Sequence, residues 1–275
     1  MKQSLLRPRP LMIGAGLAIV ALAAAGITPL LSDATAGGNA GRNAPSAPSD
    51  TSNLRPAVPQ YDTGLKPKDE ITQAENLVFL DEHLANVKAS TTLAYAFTKQ
   101  GSMEKGFSDS VEESISVSGK SRTVKAKFLS GMHSKDYATV EDATANPVIL
   151  HFLERDLAEM QRLTGGQPNY FRKRIRLALA EGPEIKPVKF EYQGKTVDAR
   201  MVSVEPYMSD PLVHDPARAA YKRYRGKRYT FVLSDAVPGK VAEMRFTIPD
   251  LAVAGEAAYQ KPLLEEVLTL QGAKR

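Results

Sequence analysis

Two blocks of alternating apolar and polar residues place the strongest constraint on the fold, because a period of two is typical of strands with one dry face. In the first block, residues 93–97, 111–117 and 124–128 alternate and are separated by polar or turn-forming residues. The second block covers residues 188–248, with tight turns predicted at Gln193-Gly194 and Pro238-Gly239. Consecutive alternating strands favour an antiparallel sheet over a parallel, doubly wound sheet.

Helical spacing of apolar residues occurs before the first block and between the two blocks. The spacing predicts a helix over Ile71–Val87, a second from Asn146-Pro147 to Gly165-Gly166, and a third over Tyr170–Ala180. Residues 263–270 are compatible with a strand or a short helix. The predicted fold class is therefore α+β, with a curved antiparallel sheet (a half-barrel) wrapped over two or three helices.

The N-terminus carries the pattern of an export signal. Three basic residues among the first nine precede the apolar run Leu11–Ile27, and Ala34-Thr35-Ala36 matches a small-x-small cleavage site. These features predict a signal peptide over residues 1–36. The alternative is an uncleaved anchor, since the apolar stretch is long enough to cross a bilayer. Both interpretations place the rest of the chain outside the cytoplasm, and the predicted location is periplasmic.

The remaining chain divides into a linker and one domain. Residues 37–68 are rich in Pro, Ser and Gly with few large apolar side chains, which predicts a disordered linker. Residues 69–272 are enough for a single α+β half-barrel domain. The chain has no cysteine, which excludes disulfides, thiol catalysis and thiolate metal sites. Removing residues 1–36 lowers the formal net charge from +5 to +3, which is a mildly basic balance.

Motifs for catalysis and metal binding are not found in the sequence. The four histidines lack the spacing of a metal site, and no Gly-x-Ser-x-Gly elbow is present. The paired glutamates are adjacent in sequence and would point to opposite faces of a strand. We therefore predict a protein that is not an enzyme and that has no metal and no cofactor.

Two basic clusters stand out against this background. The first lies on the predicted third helix and consists of Arg172, Lys173, Arg174 and Arg176, beside apolar residues of the same helix. The second lies within residues 218–228. An apolar helix face with a basic flank is typical of contact with anionic lipid, so we predict an anionic-surface contact at the first cluster. A solvated charged helix face and a protein partner are the alternatives. Nucleic acid is not an expected partner of an exported chain.

A resemblance to a known family rests on two short segments. Leu84–Ser90 and then Tyr95–Gln100 resemble the opening of the periplasmic lipoprotein-carrier superfamily, the LolA-like proteins, although an extra Lys99 interrupts the Phe-x-Gln-like pattern. The resemblance implies a bent antiparallel sheet that closes over helices and forms a hydrophobic cavity for acyl chains. The carry-over is limited to fold and ligand class, because no individual binding residue can be matched.

The leading functional hypothesis is a periplasmic protein that binds a lipid, a lipidated protein or another apolar ligand in its half-barrel. The dry face of the sheet would supply the cavity wall, since apolar clefts bind apolar molecules. The predicted wall residues are Leu93, Tyr95, Phe97, Val111, Ile115, Phe128, Phe190, Tyr192, Phe231 and Phe246. For each residue taken alone, burial statistics favour ordinary core packing. The alternative function is an envelope interaction or sensor module that binds a protein partner and has no ligand cavity. The sequence leaves ligand identity and oligomeric state open.

Overall fold

The structure, a computed structural model, describes residues 70–274. The predicted signal peptide (residues 1–36) and linker (residues 37–68) lie outside the described residues. Both remain predictions.

Eight antiparallel strands form one sheet in the order β3-β2-β1-β8-β7-β6-β5-β4. Both predicted strand blocks are confirmed, and residues 263–270 fall largely in a strand. The hairpin β4–β5 turns at Gln193 and Gly194, both with positive φ, as the predicted tight turn requires. The strands are β1 (Thr91–Gly101), β2 (Phe107–Ser118), β3 (Ser121–Phe128), β4 (Ile185–Tyr192), β5 (Lys195–Val204), β6 (Arg228–Leu233), β7 (Val241–Ile248) and β8 (Leu264–Lys274).

The sheet is curved and does not close. Register shifts between Ala94 and Tyr95 and between Val232 and Leu233 interrupt the regular pairing, and such bulges bend a sheet locally. The terminal strands β3 and β4 are not paired with each other, so the sheet is an open half-barrel. The predicted α+β class with a curved antiparallel sheet is confirmed.

Two long helices cover the concave face of the sheet. They are α2 (Val148–Thr164) and α3 (Pro168–Ala180). The α2 helix begins at Val148, one residue after the predicted start at Pro147, and Asn146 Oδ1 accepts a hydrogen bond from the backbone N–H of Val148 at 3.1 Å. The core lies between these helices and the sheet. Phe152 of α2, for example, packs against Phe246 of β7 with ring centroids 6.0 Å apart.

The predicted continuous helix over Ile71–Val87 is wrong. The segment forms a short helix α1 (Gln73–Glu75), a π-helical turn (Asn76–Leu80) and a 3₁₀ turn (His83–Asn86). Hydrogen bonds to other parts of the fold replace the backbone hydrogen bonds of a continuous α-helix. The backbone N–H of Leu84 donates to Thr144 O at 2.9 Å, and the His83 ring bonds Leu77 O at 2.8 Å. Leu80, which the helical spacing predicts to face the core, is 53% exposed.

Two connections carry further short helices. Between β5 and β6 lie two 3₁₀ turns, Pro211–His214 and Pro216–Arg218, followed by α4 (Ala219–Lys222). Between β7 and β8 lies a 3₁₀ turn, Gly255–Tyr259. Because both connections follow strands that run in the same direction, they lie at the same end of the sheet.

Candidate functional site

Eight of the ten predicted cavity-wall residues share one face of the sheet and are deeply buried. These eight are at most 2% exposed and belong to one hydrophobic core: Leu93, Tyr95, Phe97, Val111, Ile115, Phe128, Phe231 and Phe246. Side chains of α2 pack directly on them, with the Arg155 guanidinium 4.9 Å from the centre of the Phe97 ring. Phe246 borders a space of about 10 Å³, which is about the volume needed for one water. The protein's own side chains therefore occupy the inner face around these eight residues.

Phe190 and Tyr192 are the exceptions among the ten. Both lie on β4 and are half-buried, packed against the edge of the core. Burial raises the pKa of Tyr95, and the nearby Glu113 and Tyr192 raise it further, so the β4–β5 hairpin lies close to β1. A side chain added at Gly272 of β8 would come within 2.9 Å of Gln193 at the hairpin turn. The hairpin thus curls toward the centre of the sheet and leaves its own apolar face partly accessible.

A buried ion pair joins α2 to the segment before β6. Asp156 Oδ1 accepts from Lys227 Nζ at 2.5 Å, and Asp156 Oδ2 accepts from the Tyr229 hydroxyl at 2.5 Å. Burial lowers the pKa of Lys227, while the Asp156 carboxylate opposes that shift. The ammonium also faces the Phe246 ring, 4.1 Å from its centre. This arrangement satisfies both charges internally and leaves them unavailable to a ligand at the surface.

A second set of charges links α2 to β8 and β1. Glu266 accepts hydrogen bonds from Nη1 and Nη2 of Arg155, and its Oε1 lies 3.2 Å from Lys99 Nζ. Lys99 in turn bonds Glu104 at 2.5 Å. Burial raises the pKa of Glu266, and Arg155 opposes the shift. Lys99, the residue that interrupts the family-like pattern in β1, therefore has a structural role in this network.

One buried carboxylate lacks a hydrogen bond within residues 70–274. Glu113 of β2 is fully buried, and neither of its carboxylate oxygens has a hydrogen-bond partner there. Nδ1 of His151 on α2 lies 3.6 Å from Glu113 Oε1, and the His151 ring stacks on Tyr137 with ring centroids 4.1 Å apart. Burial raises the pKa of Glu113, which favours the neutral acid over the charged form.

A surface pocket of about 370 Å³ lies along α3. The exposed face of α3 carries residues 169, 172, 173 and 176, which recur at helical spacing, and α1 packs beside the C-terminal half of the same helix. The pocket combines basic groups with an apolar floor. Its lining residues are Glu75, Asn169, Arg172, Lys173, Arg176, Leu177 and Ala180. Three of the four predicted anionic-surface residues are therefore brought together in one pocket.

The cations of this pocket differ in how they are held. Arg172 donates to both oxygens of Glu154, at 2.9 and 2.7 Å, and these hydrogen bonds raise the pKa of Arg172. Lys173 and Arg176 are exposed and form no ion pair with any residue in the described part of the chain. Glu75, the acidic lining residue, is engaged by the backbone N–H of Thr72 at 3.0 Å. Two cations thus remain for an external anion, and Arg172 is fixed beside them.

Arg174 does not lie on the predicted surface, and its assignment to an anionic-surface contact is wrong. Its side chain is 3% exposed because it projects from the opposite face of α3, toward residues 206–210. Its Nε donates to Pro206 O at 2.9 Å and lies 3.6 Å from Asp210. Asp210 is buried as well and also accepts hydrogen bonds from the Tyr170 and Tyr221 hydroxyls, both at 2.6 Å. Arg174 is a structural residue of the core.

Several residues of these surfaces were missed by the sequence reasoning. Asn169, Leu177 and Ala180 share the α3 face with the basic cluster, so helical spacing alone could have added them. Glu75 comes from α1, and no signal in the sequence pairs it with α3. The exposed apolar run at residues 251–254 was also missed, although its absence of polar side chains is visible in the sequence.

Two features are absent from residues 70–274. No group of three or more His, Cys, Asp or Glu side chains in this part is arranged to hold a metal ion. None of the helices described here combines the length and the hydropathy needed to cross a bilayer.

The class of protein that the structure defines is an α+β half-barrel, and comparison with known proteins adds little to it. No protein-family model and no curated protein sequence matches the chain. Among solved structures, the lipoprotein LppX of Mycobacterium tuberculosis is 9% identical with a TM-score of 0.28, covering 70% of this chain and 92% of that one. LprF of Mycobacterium bovis is 12% identical with a TM-score of 0.28, covering 73% and 92%. A TM-score this low supports no inference, so the resemblance to the carrier superfamily stays a prediction.

Proposed function

We propose that this chain is an exported, periplasmic, non-enzymatic protein that binds a lipid, a lipidated protein or a similar anionic amphiphile. The observation that carries the proposal is the α3 pocket. Its unpaired cations, Lys173 and Arg176, stand over the apolar side chains of Leu177 and Ala180. A pocket with few charged groups and an apolar floor suits a ligand that has an anionic head and an apolar body. Its volume of about 370 Å³ is within the range of small-molecule sites.

The apolar part of such a ligand would contact the half-barrel at β4, where Phe190 and Tyr192 are half-buried. The eight deeply buried wall residues already contact α2 and other core elements. Occupation of that part of the inner face would therefore require α2 or α3 to move away from the sheet. In the conformation described, the head-group contact at α3 is accessible and the deep inner face is not.

The test is recovery of bound lipid with the exported full chain. Purification from native membranes followed by mass spectrometry should find an anionic amphiphile in the wild-type protein. The double variant Lys173→Gln, Arg176→Gln should retain several-fold less of it. Lys125→Gln, Lys127→Gln is the matched control, because both lysines are exposed on β3 and the change in charge is the same. Equal lipid content in both double variants would refute the assignment of the pocket.

The buried inner face also favours a second candidate, an envelope interaction module with a filled core. The observation behind it is that eight of the ten predicted wall residues are at most 2% exposed. This candidate predicts no co-purifying lipid and a stoichiometric protein partner in the same preparation. The two candidates therefore give opposite results in one experiment.

A further inference from the structure

An apolar loop lies exposed at one end of the sheet, between β7 and β8. Seven consecutive residues, 251–257, are exposed, and the first five of them carry no polar side chain. Leu251 is 49% exposed and Val253 is 44% exposed. A run of exposed apolar residues is unfavourable in water unless it serves an interaction. We call residues 251–255 the loop tip.

The loop tip is held in a defined conformation. Asp250 Oδ1 accepts from the backbone N–H of Ala252 at 3.0 Å, and the N–H of Val253 donates to Asp250 O at 2.9 Å. Farther along the loop, Arg228 forms two hydrogen bonds of 2.8 Å with Glu256. The Arg228 guanidinium also lies 3.5 Å from the centre of the Tyr259 ring. These contacts fix the loop so that its apolar side chains point away from the core.

The β5–β6 connection, which carries the basic residues, lies against the same loop. A Cβ placed on Gly226 would lie 2.8 Å from Pro249 and 3.1 Å from Leu251, so the two segments are in contact. The Tyr259 hydroxyl donates to Gly226 O at 2.9 Å. Arg225 Nε donates to the carbonyl of Met208, whose side chain is 38% exposed. Exposed apolar and basic side chains are therefore carried by two segments that are in contact.

The charge of this surface is unbalanced. Lys222, Arg223 and Arg225 are exposed and form no ion pair within the described residues. The nearby carboxylates of Glu205 and Glu256 are both taken up by Arg228, at 2.6 and 2.8 Å. The second basic cluster of the sequence is thus divided by the fold. Lys227 is buried and Arg228 is paired, whereas Lys222, Arg223 and Arg225 remain available.

We propose that the loop tip and the three cations Lys222, Arg223 and Arg225 form a docking surface for an anionic lipid bilayer. The apolar tip would enter the head-group region, and the cations would contact lipid phosphates beside it. Charge complementarity selects a bilayer with anionic lipids, because the surface offers three unpaired cations, whereas Glu205 and Glu256 are both bonded to Arg228. This docking surface is separate from the α3 pocket and does not depend on the ligand proposed there.

The chain has no tryptophan, so a single introduced tryptophan reports on its own surroundings. In the full-length Val253→Trp protein, emission should shift to the blue and resist quenching when vesicles of phosphatidylcholine and phosphatidylglycerol are added. Vesicles of phosphatidylcholine alone should give no shift. Ala236→Trp is the matched control, since Ala236 is exposed in the β6–β7 turn at the opposite end of the sheet. It should show no change with either vesicle.

Charge variants in the Val253→Trp background complete the test. Lys222→Gln, Arg223→Gln should weaken vesicle binding by about fivefold for each cation removed, and added salt should weaken it further. Lys125→Gln, Lys127→Gln, which removes two exposed lysines of β3, should leave the shift unchanged. The inference is overturned by an absent shift, by an equal shift at position 236, or by insensitivity to lipid charge. If Val253→Trp does not fold, Leu251→Trp gives the same readout.

Discussion

The buried pair of Asp156 and Lys227 gives the sharpest test of how this core is stabilised. Asp156 is fully buried and Lys227 is 2% exposed. The Asp156 carboxylate accepts hydrogen bonds from Lys227 Nζ and from the Tyr229 hydroxyl. The substitution Asp156→Asn keeps the size of the side chain but removes its charge. Lys227 would then be left in the core without a counter-charge, in a site where burial already lowers its pKa.

The expected cost is large compared with the stability of a domain. Breaking a buried ion pair by removing one partner costs about 3–5 kcal/mol. The free energy of unfolding of a typical domain is about 5–15 kcal/mol, so this substitution should remove roughly a fifth of it or more. With a urea m-value of about 2 kcal/mol/M, the unfolding midpoint should fall by roughly 2 M.

Urea unfolding followed by circular dichroism measures this effect, and two further variants serve as controls. The double variant Asp156→Leu, Lys227→Met removes both charges and should cost less than Asp156→Asn, because no unpaired charge remains. Asp198→Asn breaks an exposed pair with Lys189 and should cost less than about 1 kcal/mol. A loss below about 1 kcal/mol for Asp156→Asn would refute the reasoning, as would a double variant less stable than the single one.

Three further predictions concern pH and backbone geometry. Burial raises the pKa of Glu113, so its contribution to folding stability is present at low pH and lost as pH rises. Glu113→Gln should therefore be more stable than wild type at pH ~7, and this gain should vanish near pH ~4. Burial lowers the pKa of His83, so wild-type stability should fall as pH drops below ~6.5, by up to about 1.4 kcal/mol per pH unit, and His83→Gln should flatten this dependence in urea titrations. Gly239→Ala should lower the free energy of unfolding by about 2 kcal/mol or more, since φ is +72° and the added Cβ would lie 2.6 Å from Leu93. Gly119→Ala, at φ +59° with open space around it, should cost about 1 kcal/mol.

Each of these predictions has a result that contradicts it. A Glu113→Gln protein less stable than wild type at neutral pH would mean that the carboxylate is stabilised by its surroundings. An unchanged acid dependence in His83→Gln would assign that dependence to another group. Equal losses for Gly239→Ala and Gly119→Ala would show that φ alone, and not the contact with Leu93, sets the cost at Gly239.

Local patterns predicted the strands and the two long helices because those elements follow their own periodicity. The Gln193-Gly194 turn and the Asn146 cap were also predicted, since turns and caps depend on neighbouring residues. The helix over Ile71–Val87 was predicted wrongly for the opposite reason. Its conformation depends on Thr144 and Asn146, which bond Leu84 and His83 across the fold.

The candidate surfaces were only partly predictable for a similar reason. Arg172, Lys173 and Arg176 were found from composition and spacing, but the same criteria included Arg174, which is buried. Its carboxylate partner Asp210 is distant in sequence, so charge alone could not separate a core cation from a surface cation. The same limit applies to Lys227, whose partner Asp156 lies on a different element.

The position of β8 has a consequence for the order of assembly. This strand follows all the others along the chain, yet it lies in the middle of the sheet, between β1 and β7. The meander β1–β3 and the block β4–β7 therefore remain two separate pieces with bare inner edges until β8 is available to join them. The sheet therefore cannot be completed until residues 264–274 have been synthesised.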